Sequence, residues 1–217
     1  VLGAGHLSYR EYDKAHKYID EGLSIDENPH LLNTKASIFL KQMRNKDALE
    51  TIDSAIRLEG TNPEFFRSRA MILLASESYE ELKRFVETRP IKEYFQYDYH
   101  LLKGACEWRL GNYEDGERNL EIAIGLDPLN SDAYLQLSIM HRINSDYEKV
   151  IKTLNRLGED QFINEHFFVE LGNAYYEIGQ ASSAVRCISR AVEINPINVS
   201  AVEIVAKIDR DQGNFEK

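Results

Sequence analysis

Residues 171–198 read LGNAYYEIGQASSAVRCISRAVEINPIN, and this stretch decides the interpretation of the whole chain. On both sides of the short polar turn Gly179-Gln180, apolar side chains recur at i, i+3, i+4 and i+7, the pattern of an amphipathic helix. Pro196 ends the second helix, because proline cannot continue the helix that precedes it. The stretch therefore predicts two helices joined by a short turn and closed by a sharp one.

The same pattern recurs along the chain with a period of 34 residues, after a first step of 33. One column of small residues consists of Gly3, Ala36, Ala70, Gly104, Ser138, Gly172 and Ala206. Nine positions later an aromatic residue stands in five of the seven repeats, and a third column is branched aliphatic from Ile19 to Ile188. A small residue on the first helix lets the second helix pack closely, so the period indicates stacked helix pairs.

On these columns the chain resembles the tetratricopeptide repeat family, best in residues 171–198, which carry the Leu-Gly-x-x-Tyr, Ala…Ala and Pro positions of that family. The resemblance implies an all-α fold class, a right-handed superhelical α-solenoid of antiparallel helix pairs with about six repeats. We predict a single solenoid domain over residues 1–217, with complete repeats near 29–62, 63–96, 97–130, 131–164 and 165–198 and partial repeats at 1–28 and 199–217.

Both ends of the chain fall inside a repeat. Val1 is expected to lie midway along a first helix, and Lys217 early in a second helix. A solenoid needs terminal repeats with polar outer faces, so we expect the chain to be a fragment of a longer protein. Any targeting signal, membrane anchor or catalytic domain would then be expected in the missing parts.

The repeat that begins near residue 63 departs from the pattern, because Arg89-Pro90 replaces a pair of small aliphatic residues. We expect its second helix to stop near Thr88 and residues 91–99 to form a longer connection. Within this connecting segment we expect the aromatic side chains to pack together; they are Tyr94, Phe95, Tyr97 and Tyr99. Two interpretations stay open: a local kink filled by aromatic side chains, and a hinge or binding shelf.

The composition excludes several classes of partner. The chain carries 26 basic and 36 acidic residues, a net charge of −10, so it has no excess of cations to neutralise nucleic acid. Its apolar runs fall short of the roughly 18 residues of a membrane span, which predicts no direct membrane insertion. Cys106 and Cys187 stand in apolar contexts, which favours reduced thiols and a cytoplasmic location. The missing termini leave the localisation unknown.

The sequence contains no motif that indicates catalysis or a cofactor. The GxSxG motif is absent, and the six histidines lie on different repeats without the spacing of metal ligands. Neither cysteine belongs to a CxxC pair. We therefore predict a protein that is not an enzyme, with no catalytic residue, no cofactor and no metal site.

The resemblance also indicates which residues face the concave side of the superhelix: those three before, and one, four and five after, the small residue. It predicts a peptide groove lined by Leu101, Ala105, Trp108, Arg109, Leu135, Ile139, Arg142, Ile143, Asn173 and Tyr176. Extra apolar residues there, with tryptophan and arginine among them, are typical of protein-binding sites. The alternative is that a tight superhelix, or the segment 94–99, buries these side chains.

These features predict a non-catalytic interaction module or scaffold that binds a protein or peptide partner in the concave groove. The partner is expected to be apolar in part, with carboxylates that meet Arg109 and Arg142. The Lys, Asn and Arg set with which members of the family hold chaperone tails is missing, so a chaperone-tail adaptor is disfavoured. Two alternatives stay open: a regulatory or substrate-selecting arm of a larger enzyme, and an architectural subunit that self-associates through its truncated ends.

Overall fold

A computed structural model describes residues 2–158 and 165–211 of the chain. Within these ranges the backbone forms thirteen α-helices and no strand, which confirms the predicted all-α fold class. The helices are α1 (Leu2–Ile25), α2 (Pro29–Lys41), α3 (Asn45–Leu58), α4 (Pro63–Ala75), α5 (Tyr79–Val86), α6 (Arg89–Tyr94), α7 (Gln96–Arg109), α8 (Tyr113–Leu126), α9 (Ser131–Ile143), α10 (Tyr147–Asn155), α11 (Glu165–Glu177), α12 (Ala181–Ile194) and α13 (Val199–Asp211).

The chain divides into two compact halves, Val1–Leu110 and Gly111–Lys217, called here the N-terminal half and the C-terminal half. In the N-terminal half α2 packs on α3 and α4 on α5; in the C-terminal half α9 packs on α10 and α11 on α12. Each second helix also contacts the first helix that follows it, as α3 contacts α4 and α10 contacts α11. This is the helix-pair repeat that the 34-residue period predicts.

The small-residue column has the packing role that the sequence indicates. Ala36 and Ala70 have no exposed surface, and both belong to apolar clusters of the N-terminal half. In α11, a Cβ atom added at Gly172 would lie 2.6 Å from Cδ1 of Ile188 in α12. A larger residue at this position would have to push the Ile188 side chain aside, so glycine favours the close approach of α12 to α11.

Asparagine side chains begin four of the first helices. Asn28, Asn62, Asn130 and Asn198 each accept, through Oδ1, a hydrogen bond from a backbone N–H in the first turn of the following helix, at 2.9 to 3.2 Å. Such capping satisfies donors that the helix itself cannot, and each cap contributes about 1 kcal/mol to stability. The recurring asparagine therefore marks the junction between repeats.

A further column emerges in the turns between the two helices of a repeat. One residue there adopts a positive φ in every pair described: Met43 (60°), Glu77 (56°), Gly111 (89°), Ser145 (59°) and Gly179 (79°). These residues are 34 positions apart, although three of them are not glycine. A side chain in this conformation costs about 1 kcal/mol, which the packing of the two helices offsets.

The predicted long connection after Thr88 is wrong. The helix α5 does end at Val86, but α6 begins at Arg89 and α7 at Gln96, so a short extra helix replaces the connection. Proline suits the first turn of a helix, where its missing N–H leaves no bond unmade. Ile91 of α6 is fully buried and packs in one apolar cluster with Tyr99, whereas Tyr94 is exposed.

The first repeat also differs from its prediction, because α1 runs unbroken from Leu2 to Ile25. Arg10 occupies the position that has a positive φ in the other turns, yet it lies inside α1. Because the backbone stays helical at Arg10, the chain does not turn there and the first repeat is not divided into two helices.

Candidate functional site

The predicted groove residues fall on three first helices, α7, α9 and α11. On α7, the exposed fractions of Leu101, Ala105 and Trp108 are 3%, 0% and 6%. Nine of the fourteen residues of α7 are buried, so this helix is covered on most of its circumference. These three side chains lie in the interior, as the alternative interpretation of the groove anticipates, and they offer no surface to a partner.

Arg109, the fourth predicted residue on α7, is engaged within the N-terminal half. Its guanidinium lies 4.0 Å from the ring centre of Trp108 and 5.4 Å from that of Tyr79. Nη1 donates a hydrogen bond to the carbonyl oxygen of Ala105 at 3.1 Å. The arginine therefore covers the indole of Trp108 and is held in place by its own helix.

The other six predicted residues, called here the α9–α11 face, remain accessible. They are Leu135, Ile139, Arg142 and Ile143 on α9 and Asn173 and Tyr176 on α11. Ile143 is 51% exposed and the other five are partly buried. Helix α9 contacts α11 within the C-terminal half, so the predicted residues of the two helices belong to neighbouring first helices.

A cavity of about 220 Å³ opens where α9, α11 and α13 meet. It is lined by Arg142, Val169, Glu170, Asn173, Ser200, Glu203, Ile204 and Lys207. Two of these, Arg142 and Asn173, belong to the predicted groove. The structure thus brings them together at one concave site, with polar neighbours that the sequence interpretation did not single out.

Arg142 is already paired inside the protein. Its Nε donates a hydrogen bond to Oε2 of Glu170 at 2.8 Å, and the Glu170 side chain is only 14% exposed. Burial raises the pKa of Glu170 above its ordinary value, although the charge of Arg142 opposes the shift. The sequence predicts that Arg142 binds a carboxylate of the partner. In the structure Arg142 already binds a carboxylate of its own chain, that of Glu170.

A second cavity, of about 420 Å³, is lined by Tyr176, Glu177, Gly179, Ala181, Ile208 and Asp211. Tyr176 lies one helical turn after Asn173 on α11, and Ile208 one turn after Ile204 on α13, so the two cavities follow each other along the same pair of helices. The hydroxyl of Tyr176 donates to Oδ2 of Asp211 at 2.5 Å, which raises the pKa of Tyr176.

Glu170, Glu203 and Lys207 were missed because the register of the small residue does not include their positions. The pairing of Arg142 with Glu170 spans 28 residues and two helices. An ion pair between adjacent first helices could have been sought from opposite charges at facing positions. The register indicates which way a residue points but not which charge it meets.

Two observations concern groups that commonly carry chemistry, a metal-holding cluster and a nucleophilic thiol. In the described ranges no group of three or more His, Cys, Asp or Glu side chains is placed to hold a metal ion. Burial raises the pKa of the Cys106 thiol to about 12, which makes it a poor nucleophile at neutral pH. None of the helices in residues 2–158 and 165–211 combines the length and apolar character needed to cross a membrane.

Models of the tetratricopeptide repeat match residues 97–161 and residues 166–198. A curated relative, a TPR repeat-containing protein of Methanocaldococcus jannaschii, is 21% identical over 209 residues. The match covers 96% of this chain and 32% of the relative, so the chain spans about a third of that relative's length.

Solved structures that share the fold include the following two. PilW, a type IV pilus biogenesis factor, aligns with a TM-score of 0.72 and 15% identity over 94% of this chain and 95% of that one. A chain of the APC/C hetero-tetramer Cut9–Hcn1 aligns with a TM-score of 0.74 and 11% identity over 94% of this chain and 40% of that one. At these identities the likeness concerns the fold alone.

Proposed function

Because the chain belongs to the tetratricopeptide repeat family, we propose that it is a non-catalytic interaction module that binds a segment of a partner protein. The binding surface is the α9–α11 face, and not the predicted groove as a whole. The observation that carries this proposal is the exposure of Ile143 beside the partly buried Leu135 and Ile139. Helix α9 buries its opposite side in the core, so burial in that core does not explain the apolar character of these residues, and exposed apolar surface is typical of protein-binding sites.

The remaining side chains of the face suit a peptide. Asn173 offers both a donor and an acceptor at the cavity, which matches the polar groups of a peptide main chain. Tyr176 adds an aromatic ring with a polar end, a residue type that is enriched at interface hot spots. The Cut9–Hcn1 hetero-tetramer, which contains a chain of similar fold, is a complex of two different proteins. A role in holding a partner protein is consistent with that example.

The architectural alternative has one observation in its favour. Helix α13 buries Ala201, Ile204 and Ile208 but leaves Val199, Val202 and Val205 exposed, so it is apolar on two sides. A helix that is apolar on two sides is usually covered by other protein segments on both of those sides. The alternative of a regulatory arm of a larger enzyme draws on the length of the curated relative, because this chain matches only about a third of it. Both stay predictions.

A peptide-display selection on the immobilised chain tests the proposal, followed by affinity measurements on the peptide most enriched. Ile143→Glu places a charge on the α9–α11 face and is expected to weaken binding at least about tenfold. Ile122→Glu is the matched control, because Ile122 is 40% exposed on α8 of the same half. Equal affinities for the two variants, or no enriched peptide, would contradict the proposal.

A further inference from the structure

We propose that Glu170 is a specificity-determining residue of the α9–α11 face: by occupying Arg142, it selects partner segments that place a Lys or Arg side chain at the cavity and rejects those that place a carboxylate there. This inference rests on the proposed function and adds the charge of the partner. It reverses the sequence prediction, in which the arginines of the groove attract an acidic segment.

The first argument is the geometry of the ion pair. A ligand carboxylate would bind Arg142 best where Oε2 of Glu170 already lies, at 2.8 Å from Nε. To reach that place it would have to displace Glu170, whose side chain is 14% exposed, and leave its charge unpaired. Breaking a pair in which one partner is largely buried is strongly unfavourable. Glu170 therefore acts as an internal competitor of acidic ligands.

The second argument is what Glu170 can still accept. A carboxylate has two oxygens and about four acceptor sites, and the described bond from Arg142 uses one of them. Glu170 lines the cavity together with Glu203 of α13, so a cationic head group entering the cavity would meet two carboxylates. The raised pKa of Glu170 agrees with a carboxylate that its own surroundings stabilise incompletely.

Two cations line the same cavity and oppose this view, Lys207 and Arg142. The Lys207 side chain is long and partly exposed, so its ammonium can turn to solvent when a cation of the partner arrives. Arg142 does not oppose a cation to the same degree, because its charge is matched by Glu170. The two cations and two carboxylates of the lining sum to zero formal charge, so the preference for a cation depends on Lys207 turning away while Glu170 stays on Arg142.

The third argument is the charge of the surrounding half. Residues 111–217 contain 18 acidic and 10 basic residues, a net charge of −8, whereas residues 1–110 contain 18 and 16, a net charge of −2. A field of this sign raises the local concentration of basic segments and repels acidic ones.

The lining of the neighbouring cavity also favours a basic side chain. Its two carboxylates, Glu177 and Asp211, lie beside the ring of Tyr176 and the apolar side chain of Ile208. Such a lining suits the aliphatic stem and charged head of a basic residue.

The test is to run the display selection in parallel on three versions of the chain: the unchanged protein, Glu170→Gln and Glu193→Gln. Glu193 lies exposed on α12 and bonds Arg190 of its own helix, so its substitution changes the net charge equally but away from the cavity. The unchanged chain and Glu193→Gln should enrich peptides with Lys or Arg, and Glu170→Gln should lose that enrichment and gain Asp or Glu.

The most enriched peptide of the unchanged chain is then made with its basic residue replaced by glutamate. The replaced peptide should bind the unchanged chain at least about tenfold more weakly than the original peptide. Its loss of affinity for Glu170→Gln should be clearly smaller. If Glu170→Gln is not folded by circular dichroism, Glu203→Gln takes its place, with a smaller change in the same direction. Peptides that bind the α9–α11 face without a basic preference, or with one that Glu170→Gln leaves intact, would overturn the inference alone. Enrichment of no peptide at all would overturn the proposed function and the inference with it.

Discussion

Helices α7 and α11 occupy the same place in their repeats, yet they differ in what they offer to a partner. Each carries a glycine in the small-residue column, Gly104 and Gly172. Four positions further, α7 has the buried Trp108 and α11 the accessible Tyr176. Nine of fourteen residues are buried in α7, against six of thirteen in α11. The register determines the direction of a side chain, and the local packing determines whether that direction leads to a surface.

The charged residues of the two helices differ in the same way. In α7, Glu107 and Asp98 are buried, and Lys83 and Arg67 bond them at 3.1 and 3.0 Å within the N-terminal half. These pairs satisfy charges that the core encloses. In α11, the largely buried carboxylate of Glu170, whose side chain is 14% exposed, lines an open cavity instead. A paired charge in the core supports the fold, whereas a paired charge at a cavity can also select a ligand.

The largest effect that separates the two helices is expected from Trp108→Ala. Loss of a buried tryptophan should lower the free energy of unfolding by about 3–5 kcal/mol. Ile143→Ala, on the exposed part of the α9–α11 face, should lower it by less than about 1 kcal/mol. Urea unfolding followed by circular dichroism measures both. A Trp108→Ala variant as stable as Ile143→Ala would show that α7 is a surface helix after all.

A smaller effect is expected in the turns between the two helices of a repeat. The positive-φ residues of these turns are Met43 and Glu77 in the N-terminal half, whereas two of the three in the C-terminal half are glycines, Gly111 and Gly179. Glu77→Gly should raise the free energy of unfolding by about 0.5–1 kcal/mol, because it removes a strained side-chain conformation. Gly179→Ala should lower it by about 1 kcal/mol; a Cβ atom there meets nothing within 4 Å, so the cost is conformational alone. Thermal unfolding of both variants checks these signs, and two changes of the same sign would refute the role of the column.

The smallest effect concerns two glutamates of α11 whose pKa values shift in opposite directions. Burial raises the pKa of Glu170, so the folded state holds a proton that the unfolded state has released, and stability falls as pH rises from the ordinary glutamate pKa to the folded one. A hydrogen bond from Asn195 lowers the pKa of Glu165, so its contribution is present above the ordinary pKa and is lost as pH falls through the folded one. Relative to the unchanged chain, Glu170→Gln should therefore gain stability as pH rises through this range, and Glu165→Gln should lose it. Unfolding curves between about pH 3 and 7 test this; parallel pH profiles for the two variants would contradict it.

The repeat architecture could be predicted from sequence because it depends on residues that recur. The small column is one such signal, and the 2.6 Å approach at Gly172 explains it physically. The extra helix α6 could not be predicted, because Arg89-Pro90 ends one helix and also suits the first turn of another. The accessible part of the groove also escaped prediction. Trp108 and Tyr176 have the same register, and only the packing around each distinguishes core from surface.

The most direct test of the account is amide hydrogen exchange of the chain with and without the peptide most enriched in the display selection. The account predicts that the peptide slows exchange in α9, α11 and α13 and leaves α7 unchanged, because the accessible side chains lie on α9 and α11, and both cavities are lined mainly by α9, α11 and α13 and not by α7. Protection centred on α7, with α9 and α11 unaffected, would contradict it and would return Trp108 to the binding surface.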